Sequence, residues 1–310
     1  MGHIGALLIM IALAVTACGG GSAPKAPAAG SPGASGSAAV SIPPLASGPV
    51  SSNPGAAACE AGSITAVGSS ALQPLVEQAA RDFMSICPGT TVSVQGGGSG
   101  TGLSLVSQGG VTIGNSDIEA TDRLDPAAAA ELVDHQVVKQ GFVMVTNGDV
   151  QGVSTLTTEQ MEGIWTGKIA NWKDVGGPDM PIVLILRPLS SGTRATFKKL
   201  VLKGAAEAEG QALTEDSNGA VTTAVNTTPG ATSVIGFAYY AVTQGLQGVA
   251  LDGIEANLDN LVDGSYPIWA YGHMYTKGEA TGLAKAFLDY MLSDHVQKEL
   301  APSLSYAPVK

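Results

Sequence analysis

Three stretches of this chain repeat one local pattern, in which a β-type run is followed by a Gly/Ser/Thr turn and then a helical pattern. They cover residues 64–71, 92–102 and 182–193. A helix N-terminus offers backbone N–H groups without intrahelical partners and the positive end of the peptide dipole. Glycine lets a ligand approach that backbone, and hydroxyls add donors. Three such turns, one of them carrying Arg187, predict a pocket for a small oxyanion.

The alternation of strand and helix patterns predicts an α/β architecture with mainly parallel sheets. Strands are predicted at 64–67, 91–95, 111–113, 142–145 and 182–186. Helices are predicted at 71–86, from about 103 to 109, at 126–133, after 193 and at 284–300. Open α/β sheets bind ligands at the carboxyl ends of their strands. The turns are therefore expected to meet at one edge.

Charge and composition exclude several classes of function. The chain has 15 basic and 26 acidic side chains, a net charge of −11, and no basic run, so nucleic acid is not expected as a partner. The same charge repels anions at long range, so an anion pocket must rely on short-range donors. The chain has no Cys/His cluster with metal-ligand spacing, so neither a metal nor a cofactor is predicted.

The N-terminal part is predicted to lie outside the fold. The apolar run Leu7–Val15 is too short to span a bilayer and is typical of a signal peptide. The small residues before Cys18 resemble a bacterial lipobox, which makes 1–18 a lipoprotein signal peptide and Cys18 the lipidated (palmitate-bearing) residue. Only His3, and no Lys or Arg, precedes the run. An ordinary cleaved signal with an incidental cysteine remains the alternative.

Residues 19–59 are rich in Ala, Gly, Ser and Pro and are predicted to form a flexible tether. A tether suits an anchored binding module better than a freely diffusing enzyme. Globular composition begins at about Cys59.

Cys59 and Cys87 each lie a few residues before a predicted strand. If those strands are neighbours in a parallel sheet, the cysteines share one edge within disulfide reach. An extracytoplasmic location permits the bond. Two buried free thiols are the alternative.

Taken in order, four turns resemble one family, the phosphate-binding proteins that supply the phosphate ABC transporter. They are residues 68–71, 96–102, 114–117 and 187–193. Residues 228–231, 235–237 and 306–309 are similar to later segments of that family. The similarity covers about 60 to 310, and the ordered set is more specific than any one turn.

The resemblance implies a two-lobed type II periplasmic-binding-protein fold with two hinge crossovers and a ligand cleft. Lobe I would comprise 60–145 and 268–310, and lobe II 146–267. The implied function is extracytoplasmic, high-affinity binding of inorganic phosphate and delivery to an ABC permease. The protein would be a monomer held at the cell membrane by its lipid, with no catalytic residues.

The resemblance also implies a set of ligand contacts. Ser70 would donate through its hydroxyl, Ala71 through its backbone N–H, and Ser99 from the second turn, while Asp117 would act as an acceptor. The opposite lobe would contribute Arg187, Ser191, Gly192 and Thr193. Many family members carry an acidic residue two positions after the arginine, where this chain has Leu189.

Each of these residues has a simpler interpretation. Ser70 with Gln73 fits a capping box, residues 98–102 fit a flexible loop, Asp117 fits a turn carboxylate, and Arg187 fits a surface cation. A serine-dependent phosphatase or hydrolase is the alternative function, although no Gly-x-Ser-x-Gly elbow surrounds the candidate serines. A receptor for another tetrahedral oxyanion, such as sulfate, is a third possibility.

Overall fold

The computed structural model describes residues 59–208 and 213–309. The predicted signal peptide, the lipidated Cys18 and nearly all of the predicted tether lie outside the described residues. No helix in the described part of the chain is long and apolar enough to cross a membrane.

The chain forms strands and helices in alternation. The strands are β1 Gly62–Gly68, β2 Thr90–Gln95, β3 Ile113–Ser116, β4 Leu132–Asn147, β5 Thr155–Leu156, β6 Val183–Leu186, β7 Leu213–Thr214, β8 Ala231–Gly236, β9 Leu246–Leu251, β10 Trp269–Lys277 and β11 Tyr306–Ala307. The helices are α1 Gln73–Ile86, α2 Ser99–Ser107, α3 Pro126–Ala130, α4 Thr158–Trp165, α5 Gly192–Phe197, α6 Asn218–Thr227, α7 Phe237–Val242, α8 Leu258–Val262, α9 Gly282–Met291 and α10 Ala301–Ser303. Short 3₁₀ segments cover Ala120–Asp122 and Trp172–Val175, and π-helical turns cover Lys198–Leu202 and Val296–Leu300.

The main sheet has the order β2-β1-β3-β10-β4-β8-β6-β7, and β4 divides it into two regions. Residues 132–141 of β4 pair with β10, whereas residues 142–147 pair with β8 and β9. We call β1, β2, β3, β10, β11 and residues 132–141, with their helices, the first region. The second region comprises β5 to β9 and residues 142–147, with their helices.

The sheet is mixed rather than mainly parallel. β1 runs parallel to β2 and β3, and β6 runs parallel to β7 and β8. The strands β8, β9, β10 and β11 all run antiparallel to β4. A chain that leaves one region and later returns to it must cross in opposite directions. The strands at the crossing are therefore antiparallel, and only the flanks match the expected arrangement.

The two crossings lie side by side and are hydrogen-bonded. The Phe142 N–H donates to the Ile268 carbonyl at 2.9 Å, and the Tyr266 hydroxyl donates to the Phe142 carbonyl at 2.7 Å. Separate hydrophobic clusters flank this point, one containing Trp172 and Phe197 and the other Leu75 and Phe287. The division of the chain at 145/146 and 267/268 remains a prediction.

Several predicted elements differ from the structure. The strand predicted at 111–113 is β3, Ile113–Ser116, so residues 114–116 of the predicted turn belong to the strand and only Asp117 follows it. The helix predicted at 126–133 ends at Ala130, because Leu132 already belongs to β4. The strand predicted at 142–145 is the buried end of that 16-residue strand. The helix predicted at 284–300 is interrupted after Met291 and resumes as a π-helical turn from Val296.

The predicted disulfide is confirmed. Cys59 is bonded to Cys87, and Gly62 pairs with Thr90 in the parallel strands that follow the two cysteines. The bond therefore fastens the start of β1 to the start of β2 in the first region.

Candidate functional site

The predicted turns all follow the carboxyl ends of strands. Ser69 and Ser70 follow β1, the glycines 96–98 link β2 to α2, Asp117 follows β3, and Arg187 follows β6. The side chains of Ser70, Ser99, Asp117 and Arg187 are all buried. The two regions thus bring these turns together in one buried polar cluster.

The two serines of the first turn, Ser69 and Ser70, make different contacts. Ser69 Oγ accepts from the N–H groups of Ala71 and Leu72, both at 3.1 Å, so Ser69 stabilises the turn that leads into α1. The alternative of a Ser70–Gln73 capping box is therefore wrong, and the Gln73 amide donates to Glu77 instead. The Ala71 N–H, a predicted phosphate donor, is engaged by Ser69 in this structure.

Ser70 connects the two regions. Its Oγ accepts from Arg187 Nη2 at 3.2 Å, from the Asn218 backbone N–H at 3.1 Å and from Asn218 Nδ2 at 3.0 Å. Three donors therefore converge on one neutral hydroxyl.

Asp117 is held from both sides. Its Oδ1 accepts from the Ser69 hydroxyl and from Gln140 Nε2, the latter at 2.8 Å, and its Oδ2 accepts from the Thr193 hydroxyl at 3.4 Å. Burial raises the pKa of the Asp117 carboxyl, while the hydrogen bonds from Ser69 and Gln140 and the charge of Arg187 oppose that shift. Asp117 is thus not an exposed turn carboxylate.

The backbone of Asp117 is also fixed. Its N–H donates to Ser99 Oγ at 2.9 Å, and its carbonyl accepts from the Thr196 hydroxyl at 3.3 Å. Ser99 accepts from the backbone here and keeps its own proton for a ligand or another acceptor.

Arg187 is not a surface cation, since only 3% of it is exposed. Its Nη2 donates to Ser70 and to the Asp216 carbonyl, the latter at 3.0 Å. Its Nε and Nη1 are buried and have no hydrogen-bond partner among the described residues. Burial lowers the pKa of Arg187 to about 10, while the charges of Asp117 and Asp216 act in the opposite direction.

Leu189 takes no part in orienting Arg187, because it is 74% exposed. The nearby acidic position is Asp216, whose backbone carbonyl accepts from the guanidinium. The Arg187 carbonyl accepts from Arg194 Nη1, and the Arg194 guanidinium in turn donates to both carboxylate oxygens of Glu207.

The start of α5 lies against the first region. Ser191 Oγ accepts from the Arg194 N–H at 3.2 Å and so caps the helix. A Cβ on Gly192 would overlap the Ser99 hydroxyl and lie 2.8 Å from the Asp117 Cβ. Glycine is therefore required for this close approach, which the Gly100 N–H to Ser190 carbonyl bond at 2.9 Å reinforces.

Thr193 and Asn218 complete the cluster. The Thr193 hydroxyl donates to Asp117 and lies 3.5 Å from Asn218 Nδ2. Asn218 is the first residue of α6, and its Oδ1 accepts from the Gly236 N–H at 2.9 Å. All eight sequence-predicted residues thus lie in or beside the cluster. Two of them already make local hydrogen bonds there: the Ala71 N–H donates to Ser69 Oγ, and Ser191 Oγ accepts from the Arg194 N–H.

The sequence-based prediction missed Ser69, Gln140 and Asn218. For Asn218 a signal exists, because Ser217-Asn218-Gly219 follows the short strand β7 and opens α6, with Ser217 Oγ capping the Ala220 N–H at 3.1 Å. This is a fourth copy of the pattern, but a strand of two residues gives too weak a periodicity to detect.

Histidine and metal chemistry have no support at this cluster. His135 contacts Thr276, His273 contacts Asp134, and His295 contacts Glu299, so none of these histidines is hydrogen-bonded to a site serine. The residues described here contain no group of three or more His, Cys, Asp or Glu side chains arranged to hold a metal ion.

Known proteins are similar to this chain in sequence and in fold. Residues 53–295 match the PBP superfamily domain. The phosphate-binding protein PstS of Bacillus subtilis is 49% identical over 248 residues, which cover 80% of this chain and 81% of that protein. The chain belongs to the PBP superfamily, among its phosphate-binding proteins.

Solved structures of this family match the fold as well. A phosphate ABC transporter substrate-binding protein from Clostridium perfringens, with bound phosphate, has a TM-score of 0.74 and 29% identity and covers 80% of this chain and 100% of its own. An ABC-type phosphate transport receptor from Vibrio cholerae has a TM-score of 0.63 and 27% identity, with coverage of 80% and 100%. The expected two-lobed binding-protein fold is therefore confirmed.

Proposed function

We propose that this protein binds inorganic phosphate between its two regions and delivers it to the permease of an ABC transporter. One observation carries the proposal. Arg187 is buried with two guanidinium nitrogens unpaired among the described residues, beside a hydroxyl that already receives three donors. A buried cation with unused donors is stabilised by an anion, and the guanidinium fork matches a tetrahedral oxyanion.

The proposed ligand contacts come from both regions. Ser70, Ala71 and Ser99 provide donors from the first region, while Arg187, Ser191, Gly192 and Thr193 provide them from the second. Helix N-termini α1, α2 and α5 add the positive ends of their dipoles. Asn218, which contacts Ser70 through both of its nitrogens, joins this set.

Asp117 gives the site its selectivity in this proposal. Phosphate at neutral pH carries a proton, which the carboxylate can accept in a charge-assisted hydrogen bond. Sulfate carries no proton at neutral pH, so the lone pairs of its oxygens would face those of the Asp117 carboxylate and be repelled. Selection by such repulsion distinguishes two anions of the same shape.

Delivery requires the protein to work outside the cytoplasm beside the membrane. Lipidation at Cys18 and a tether over 19–59 would hold a monomer there, and the Cys59–Cys87 disulfide supports an oxidising compartment. The similarity to transport receptors supports the permease as partner. Membrane fractionation of the full chain beside Cys18→Ala tests the anchor, since the variant should move to the soluble fraction.

Calorimetric titration with phosphate, sulfate and arsenate tests the binding itself. Bound phosphate is first removed by unfolding and refolding. We expect one phosphate to bind per chain, arsenate to bind with a slightly lower affinity, and sulfate to bind far more weakly. Absence of phosphate binding by the refolded protein, or equal affinity for sulfate, would contradict the proposal. Phosphate release from a generic phosphoester, measured alongside, would instead favour the hydrolase alternative.

A further inference from the structure

Gln140 occupies a position that links the crossing to the site. It lies on β4 opposite Ala270 of β10 and Tyr306 of β11, two residues before Phe142, where the strand passes into the second region. It is 2% exposed. The side chain is therefore part of the interior, on the strand that both regions share.

The amide of Gln140 makes one side-chain hydrogen bond. Nε2 donates to Asp117 Oδ1 at 2.8 Å, and Oε1 is buried without a partner among the residues that the structure describes. The orientation of the amide follows from this contact, because the opposite one would place its oxygen against the carboxylate oxygen.

This arrangement is a poor source of stability. A buried carbonyl without a donor is unfavourable, and an apolar side chain of the same length would fill the space without that penalty. Since the amide contributes one hydrogen bond, and that bond is to Asp117, its benefit must be sought in what it does to the carboxylate.

The hydrogen bonds of Asp117 are divided between its two oxygens. Oδ1 receives Ser69 and Gln140, both from the first region, whereas Oδ2 receives Thr193 from the second. Two donors on Oδ1 fix the carboxylate plane and favour its ionised form. Among the described residues Oδ2 accepts one hydrogen bond, from Thr193, and so keeps a lone pair for a further donor.

We propose that Gln140 is a positioning residue for anion selection, which holds Asp117 ionised and turned so that Oδ2 accepts the proton of the ligand. The inference rests on the proposed function of phosphate binding. Without Gln140, the carboxylate can rotate about Ser69 or take up a proton. A protonated carboxyl donates a hydrogen bond and so accepts sulfate. Loss of Gln140 therefore weakens discrimination and not only affinity.

Gln140→Met tests this inference, because methionine keeps the length and removes the donor. Gln297→Met is the matched control. Gln297 is also buried, at 1% exposure, and its Nε2 donates to the carbonyls of Val137 and Met291, each at 2.8 Å, away from Asp117. Phosphate and sulfate affinities of both variants and the parent are measured by calorimetry, and folding by urea denaturation.

We expect Gln140→Met to lower the phosphate-to-sulfate affinity ratio by about tenfold or more, the scale of a lost hydrogen bond to a charged group. Gln297→Met should lose stability and keep the parental ratio. A ratio within about twofold of the parent in folded Gln140→Met would overturn the inference. If that variant does not fold, Gln140→Leu is measured against the same criterion. Failure of the parent to bind phosphate would refute the proposed function instead, so the two failures are distinguishable.

Discussion

The first and second regions contribute different chemistry to one cluster. The first supplies the carboxylate of Asp117 together with neutral hydroxyls from Ser69, Ser70 and Ser99. The second supplies the cation, Arg187, with the donors of Asn218. In the proposed function, attraction for an anion would therefore reside mainly in the second region, and discrimination between anions in the first.

This division has a consequence for binding. Neither region alone presents both the charge of Arg187 and the carboxylate of Asp117, so in the proposed function full affinity would require both regions to surround the ligand. Contacts that cross between the regions, among them Ser70 to Arg187, Gly100 to Ser190 and the Lys199–Asp122 ion pair at 3.2 Å, belong to that arrangement. Hinge-type receptors close around ligands in this way.

The disulfide Cys59–Cys87 lies in the first region, and its removal should have the largest effect of the changes considered, a loss in the free energy of unfolding. The disulfide closes a loop between residues 28 apart in the first region. In the chain-entropy description such a loop stabilises the folded protein by about 3–4 kcal/mol. Cys59→Ser/Cys87→Ser should lower the free energy of unfolding by that amount and leave phosphate affinity nearly unchanged.

Urea denaturation of the parent with and without reductant is the internal control for the disulfide. Reduction should reproduce the stability of the double variant. A large loss of phosphate affinity in the folded double variant would show that the disulfide shapes the binding site, which would contradict a purely stabilising role in the first region.

The second prediction concerns the cation. Arg187→Ala should weaken phosphate and sulfate alike, by roughly 2 kcal/mol or more, which is about 30-fold, because a buried charge-assisted contact is lost. Arg81→Ala removes an arginine on α1 whose guanidinium contacts Gln78, and it should leave both affinities unchanged. A change of less than twofold in the phosphate affinity of Arg187→Ala would show that the second region does not supply the main attraction for the anion.

The third prediction concerns the close approach of the regions. Gly192→Ala places a methyl group against Ser99 and Asp117, and overpacking of this kind costs about 1–3 kcal/mol. We expect phosphate affinity to fall by about tenfold and the free energy of unfolding to fall as well, because the methyl group would displace Ser99 and Asp117 where the two regions pack. Gly62→Ala, where the nearest atom is Leu283 Cδ2 at 3.6 Å, is the control.

Much of this arrangement was predictable, because it depends on local patterns. The strand–turn–helix pattern located β1, β2 and β6 with their turns, and the rule that ligands bind at strand carboxyl ends grouped Ser70, Asp117 and Arg187. The disulfide followed from two cysteines placed before neighbouring parallel strands.

The remainder depends on contacts between distant segments. The sequence does not show which serine of the first turn accepts from the backbone before α1, because both have the same hydroxyl group; in the structure Ser69 Oγ accepts from the Ala71 and Leu72 N–H groups, and Ser70 Oγ contacts the second region. Gln140 lies 23 residues from Asp117 in sequence, on a 16-residue strand whose polar and apolar residues do not alternate regularly. Antiparallel pairing at β4 follows from the chain crossing twice between regions, which no local pattern records.

The most direct test of the division between attraction and selection is the phosphate-to-sulfate affinity ratio of Asp117→Asn and Arg187→Ala, titrated beside the parent. Asparagine keeps the shape of Asp117 and removes its charge. We expect Asp117→Asn to lower the ratio by about tenfold or more, on the scale of a charge-assisted hydrogen bond, and Arg187→Ala to lower both affinities while keeping the ratio. A parental ratio in Asp117→Asn, or a strongly lowered ratio in Arg187→Ala, would contradict the division between attraction by the second region and selection by the first.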